Sequence, residues 1–223
     1  MWSCVDAYTQ AEQLKDKYPG LKIVEADLTK ICLQGGIEIY RSAKGFTLKR
    51  EYAVKIIIDL DGHTLPKVVD CENAIDSGYP HRYKDGSLCL ETDTVIRMRF
   101  IDGFDLISWM DEFVEPYFFS YEFYSRFGVF PFGERPHGIE GMLHAYCELF
   151  GEEDMNKAIR LLIYIAEQKY RGHQVCPCQS GKKVRDCHGD IIFPYMMDTR
   201  RKAIVESDLI YIREVLSYYE HTR

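Results

Sequence analysis

The sequence predicts an α+β fold: an antiparallel four-stranded meander with helices segregated around it. Three observations carry this. Period-two alternation dominates residues 21–60, helical stripes flank that region, and strands precede most helices instead of alternating with them. The first helix rests on Ala7, Ala11, Leu14 and Tyr18, which recur on one side before Pro19-Gly20 ends the run. Strands follow at Leu21–Ala26, Ile37–Ser42 and Tyr52–Leu60; the last is the strongest, with Tyr52, Val54, Ile56, Ile58 and Leu60 on one face. Gly35-Gly36 and Asp61-Gly62 read as turns, and Pro66–Val69 as a short fourth strand. Residues 70–100 are irregular. Leu106, Met110, Phe113 and Val114 then form a helical stripe that Pro116 interrupts or restarts. Further helices are expected from Ile139 to Phe150 with Gly151 as the stop, from Asp154 as N-cap to about Tyr170, and over 203–219. Their stripes are Ile139, Met142, Leu143 and Tyr146; Ile159, Leu162, Ile163 and Ala166; and Val205, Leu209, Ile212, Leu216 and Tyr219.

At 223 residues the chain suits one domain, or one domain with an appendage. Its 46% hydrophobic and 28% charged residues exclude wholesale disorder. A net charge of −7 argues against nonspecific nucleic-acid or anionic-membrane partners. No apolar run approaches the ~20 residues of a membrane span, and the first residues lack the pattern of a secretory signal. A cytoplasmic protein is the expectation. Its eight cysteines then serve as core, metal ligands or nucleophiles more readily than as disulfides. Cys4, Cys32, Cys71 and Cys147 read as packed or inert thiols.

Residues 176–188 read Cys-Pro-Cys-Gln-Ser-Gly-Lys-Lys-Val-Arg-Asp-Cys-His. Cys176, Cys178, Cys187 and His188 supply the three thiolates and one imidazole of a closed tetrahedral zinc site. Four ligands leave no open position, so the expected metal is structural. The segment resembles the SEC-C zinc module found at the C-terminus of the bacterial secretion ATPase, departing at Gln179, where that family usually has Gly. The resemblance implies a docking role, and with it an exposed module. The expected division is a domain over 1–170 and the module with its terminal helix over 171–223.

Residues 79–90 read Tyr-Pro-His-Arg-Tyr-Lys-Asp-Gly-Ser-Leu-Cys-Leu. Taken alone, Cys89 between two leucines fits a buried strand position. In context, a meander, then Pro66-Lys67-Val68, then this stretch and a downstream helix, the chain resembles the ubiquitin-conjugating (E2, or UBC-like) fold over roughly residues 5–170. That family has His-Pro-Asn followed by Gly-x-[Ile/Leu]-Cys-Leu; here the tripeptide is Tyr79-Pro80-His81. The form H-x-Y-x-D-G-x-L-C-L, and the later Gly133-Glu134-Arg135-Pro136-His137-Gly138, are similar to bacterial E2-like proteins. The resemblance implies that Cys89 carries an acyl group as a thioester and passes it to an amine, a role suited to a thiol as nucleophile and leaving group. His81, at the place of the family's Asn, is expected to donate to the oxyanion or act as a base, or else to pack the loop. Asp85 either orients an amine or shapes the turn. His137 either approaches the site or caps the next helix.

Bacterial relatives of this type belong to anti-phage operons, and their implied partners are a donor protein with a C-terminal tail (a ubiquitin-like protein or a cyclic-nucleotide synthase) and an activating E1-like protein. The competing reading is an inactive E2-like module that binds such a tail while the zinc segment docks elsewhere.

Overall fold

The computed structural model describes residues 4–134 and 136–221, and the side chains of residues 4, 5 and 219–221 lie outside that description. Cys4, Arg135 and Tyr219, singled out above, are among the side chains not described. In chain order the elements are α1 (Cys4–Lys17), β1 (Leu21–Ala26), β2 (Lys30–Ala43), β3 (Phe46–Asp59), β4 (Lys67–Asp70), α2 (Asp93–Arg99), α3 (Leu106–Trp109), a π turn (Met110–Val114), α4 (Glu115–Phe127), α5 (Gly138–Phe150), α6 (Met155–Glu167), a 3-10 turn (Val184–Asp186), α7 (Gly189–Met197) and α8 (Thr199–His221). The fold class is α+β, as expected. No helix among the described residues is long and apolar enough to cross a membrane.

The chain forms two compact units, Met1–Glu91 with Asp102–Glu134, and Thr92–Ile101 with Arg135–Arg223. The second unit has a shared apolar core: Tyr146 and Phe150 of α5, Leu161, Leu162 and Ile165 of α6, Ile192 of α7 and Val205, Leu209 and Ile212 of α8 bury together with Cys176, Cys178 and Val184. The cysteine segment belongs to that core.

In the first unit the sheet is an antiparallel meander in the order β1-β2-β3-β4. β2 and β3 pair along their whole length, from Lys30↔Asp59 to Ala43↔Phe46. Lys44 and Gly45 join them with positive φ at both positions, which suits a two-residue turn matched to strand twist. The alternation is realised as far as Ile58: Tyr52, Val54, Ile56 and Ile58 are buried on one face, with Ile37 and Ile39, whereas Leu60 follows the end of β3 and is only half-buried. Gly35-Gly36 is not a turn. It lies within β2, opposite Val54 and Ala53, because a Cβ on Gly35 would collide with the Gly20 carbonyl and one on Gly20 with the Gly36 carbonyl. Two backbones touch there, and only Gly permits it.

Helix α1 buries Ala7, Ala11 and Leu14. Its Gln10 side chain donates to the Phe104 carbonyl (2.9 Å) and accepts from the Leu106 amide (2.8 Å), fixing where α3 starts. Pro116 lies in the first turn of α4, so the helix restarts at it rather than being broken by it. The chain widens into the π turn just before it, and this accommodates a residue that lacks an N–H and crowds the preceding turn. Helix α4 then lays Tyr117, Phe118, Phe119 and Phe123 into the core, Phe118 stacking on Tyr52 at 4.2 Å.

In the second unit the stripe of α6 is displaced by one position: Ala158, Leu161, Leu162 and Ile165 are buried, while Ile159, Ile163 and Ala166 pack at its margin. Asp154 caps α6, accepting from the Asn156 amide at 2.8 Å. Asp208 of α8 is buried, accepting from Thr94 Oγ1 of α2 (2.6 Å) and Tyr146 Oη of α5 (2.8 Å). Burial raises its pKa above the ordinary carboxylate value.

The folded chain thus keeps the Asp208 proton to higher pH than the unfolded chain does. The stability this contributes is fully present below the ordinary carboxylate pKa of about 4 and is lost as pH rises through the raised value. Asp208→Asn, neutral throughout, should flatten that slope. Urea unfolding of both proteins at several pH values measures it; parallel slopes would refute the linkage.

Candidate functional site

Two constellations anticipated from the sequence are assembled, one within each unit. The first surrounds Cys89. Strand β4 continues into a turn-rich segment, where Val69 bridges Ser87 and Arg82 bridges Leu88. The Leu88 amide donates to the Val68 carbonyl (2.9 Å) and the Cys89 amide to the His81 carbonyl (2.8 Å). Leu88 is consequently buried while Cys89 is half-exposed, so Cys89 is not the buried strand residue that its leucine neighbours alone suggest. A ring nitrogen of His81 lies within 4.8 Å of Cys89 Sγ.

The His81 ring is wedged among aromatics, 5.4 Å from Phe130 in an edge-on arrangement and 5.5 Å from Tyr79. Tyr117 Oη donates to the His81 carbonyl (3.0 Å), which fixes the backbone that Cys89 also uses. Burial pushes the Tyr79 and Tyr117 phenols well above their usual range, so this wall stays uncharged. Sequence reading missed these tyrosines; the aromatic richness of 117–132 was visible, but not that Tyr117, Tyr121 and Tyr124 all meet Tyr79.

Asp85 is exposed and accepts from the Ser87 amide (3.0 Å) and Ser87 Oγ (2.6 Å). These bonds hold its carboxyl below the ordinary value and form the turn before Cys89. His137 is the exposed N-cap residue of α5 in the second unit, and its side chain makes no capping bond. Among the other thiols, Cys32 and Cys147 are buried as expected. Cys71 is exposed instead of packed; desolvation and then the Asp70 charge raise its pKa, which keeps it protonated.

The second constellation is Cys176, Cys178, Cys187 and His188. Their donor atoms all lie within 4.8 Å of one another, so the cluster could hold a metal ion. Cys178 Sγ is 3.5 Å from Cys187 Sγ, and His188 Nδ1 is 3.2 Å from Cys187 Sγ and 3.4 Å from Cys176 Sγ. Tetrahedral zinc, with Zn–S about 2.3 Å and Zn–N about 2.0 Å, requires S–S and S–N separations of about 3.8 and 3.5 Å. Cys187 closes the 3-10 turn and His188 is the N-cap residue of α7, which lets adjacent ligands turn to one centre. The Cys176 amide donates to the Lys182 carbonyl (2.8 Å), folding the loop back on itself.

Burial pushes the Cys176 thiol up to about 12. At Cys178 burial acts the same way but is outweighed by hydrogen bonds from Ser180 and the neighbouring thiols, bringing it down to about 6. Lys182, Lys183 and Arg185 are exposed. The module as a whole is not exposed: Cys176, Cys178 and His188 are buried, and Arg160 of α6 donates to the Pro177 carbonyl at 3.2 Å. A residue outside the motif also reaches the cluster: Glu152 Oε1 is 2.9 Å from His188 Nε2. Nothing at sequence level singled it out.

Gln179 has φ +66, in the left-handed region where Gly is free of strain. Gln179→Gly should stabilise the second unit by about 0.5–1 kcal/mol, read as a raised urea midpoint; a lowered midpoint would show that the Gln side chain contributes more than its backbone costs.

Comparison with protein-family models, with curated proteins and with solved structures yields no match.

Proposed function

We propose that the protein is an E2-like conjugating enzyme of UBC-like fold carrying a structural zinc. The observation that carries this is the placement of Cys89: half-exposed at the end of the segment that follows the meander, with a His81 ring nitrogen within 4.8 Å of its sulfur. The Cys89 thiolate attacks the activated carbonyl of a donor protein's C-terminus, expelling the activating group and forming a C–S bond. An amine then attacks that thioester, the C–S bond breaks, and the thiolate leaves. His81 is positioned to donate to the oxyanion or to take the proton released by the amine. The donor is a ubiquitin-like protein or nucleotide synthase, and activation comes from an E1-like partner.

Nonreducing electrophoresis after co-expression with neighbouring genes tests this. Wild-type protein should form a thiol-sensitive adduct, Cys89→Ser a thiol-resistant ester, and Cys89→Ala none. His81→Ala should slow transfer by on the order of 10²–10³ with an unchanged unfolding midpoint. Adduct formation by Cys89→Ala would refute the assignment. Tail binding without an adduct in any variant would favour the binding-module reading.

The metal in this reading is zinc, held by Cys176, Cys178, Cys187 and His188, and the exposed rim of the segment docks a partner protein. Purified reduced protein should contain about one zinc per chain. Because the thiols share the helical core, chelation should increase hydrogen exchange in α6 and α7, not only in 172–190. Exchange confined to 172–190 would return the segment to a self-contained tail, and absence of zinc would remove the metal.

A further inference from the structure

Glu152 lies in the connection between α5 and α6, outside the cysteine motif. Its placement is set by both helices. The Glu152 amide donates to the Cys147 carbonyl at 2.9 Å, past the left-handed Gly151 that ends α5, and its Oε2 is 3.4 Å from Lys157 Nζ of α6. Its other oxygen, Oε1, faces His188 Nε2 at 2.9 Å, and the two side chains are only 11% and 10% exposed.

The same imidazole turns Nδ1 toward the thiols of Cys176 and Cys187. Both ring nitrogens are therefore committed to different partners. A neutral imidazole has one N–H and one lone pair. A carboxylate oxygen only accepts, so it requires the proton on Nε2 and leaves the Nδ1 lone pair directed into the cluster. A metal ligand needs that lone pair. The burial of the pair keeps water from substituting for the carboxylate.

We propose that Glu152 is a positioning residue of the metal centre: it holds His188 as the Nε2–H tautomer, fixes the ring plane, and makes Nδ1 the ligating atom. The proposal rests on reading the Cys/His cluster as a metal site. It places part of the metal affinity in the α5–α6 connection, beyond the thirteen-residue motif of Cys176 to His188. Loss of such an outer carboxylate costs roughly 10- to 100-fold in metal affinity.

Full-length Glu152→Gln, Glu152→Ala and Glu152→Asp distinguish the contributions. Zinc affinity is measured by competition with a chromophoric chelator, and the His188 tautomer by long-range proton–nitrogen correlation, in zinc-loaded protein and in reduced metal-free protein at about pH 8, above the ordinary His pKa. Wild-type His188 should carry its proton on Nε2 in both states. Glu152→Ala should bind zinc 10- to 100-fold more weakly and mix tautomers when metal-free. Glu152→Gln should lose affinity while keeping the tautomer, since its amide oxygen still accepts, and Glu152→Asp should fall between wild type and Ala. Affinities within twofold of wild type for both Ala and Gln, or a wild-type proton on Nδ1, would overturn the proposal. If wild-type protein binds no zinc, the metal reading fails, and the metal-free tautomer still decides whether Glu152 sets the ring. That spectrum comes from wild-type protein, so a variant that fails to fold leaves the decision in place.

Discussion

The long pairing of β2 with β3 is the constraint from which the first unit follows. Its register fixes which side chains face α4 and sets Tyr52 beneath Phe118. β4 pairs with β3 from Val54↔Asp70 to Ile57↔Lys67, and Val68 of β4 accepts the Leu88 amide. Cys89 is the next residue, so its orientation descends from the ladder through two successive backbone pairings. A one-residue slip would turn the apolar face outward and carry the Cys89 segment with it.

Much of the first unit was legible because its periods are simple. Alternation along β3 and the stripe of α1 follow from burying one face of a regular element. What could not be read were close approaches and backbone accommodations. Gly35-Gly36 resembled a turn because sequence does not reveal that Gly20 touches them across the sheet. Pro116 resembled a break because sequence does not reveal a widened turn. Helices α2 and α7 were missed for a related reason: α2 is short, and the cysteine motif dominated the reading around α7. The one-position displacement of the α6 stripe arises because that helix buries α7, α8 and the thiol cluster at once, which broadens its apolar face.

At the candidate sites the outcome divides by type of interaction. Residues of metal-ligand type betray themselves through identity and local spacing, so the cluster of Cys176, Cys178, Cys187 and His188, which could hold a metal ion, was legible before any fold was known. Cys89 and His81 are eight positions apart, and their proximity is a local hairpin-like effect. Glu152 is a common surface residue type in a connection, and only the tertiary fold brings it to His188. The rule extends to Tyr79, whose aromatic neighbours come from α4 and the segment after it. Residues that act by supporting others have no spacing of their own to be found by.

The discontinuity of the two units has a consequence during synthesis. Helix α2 leaves the ribosome while the first unit still lacks α3 and α4, yet one of its partners is made last: Thr94 bonds to Asp208, 114 residues further along the chain. With translation at roughly 5–20 residues per second, that interval lasts about 6 to 23 seconds. Through it Met98, which ends in the second core with residues of α5 to α8, has at most part of its native cover. The nascent chain must therefore carry a short exposed apolar helix past a unit that completes before it, and its vulnerability to aggregation and proteolysis lies in that waiting time rather than in the finished protein.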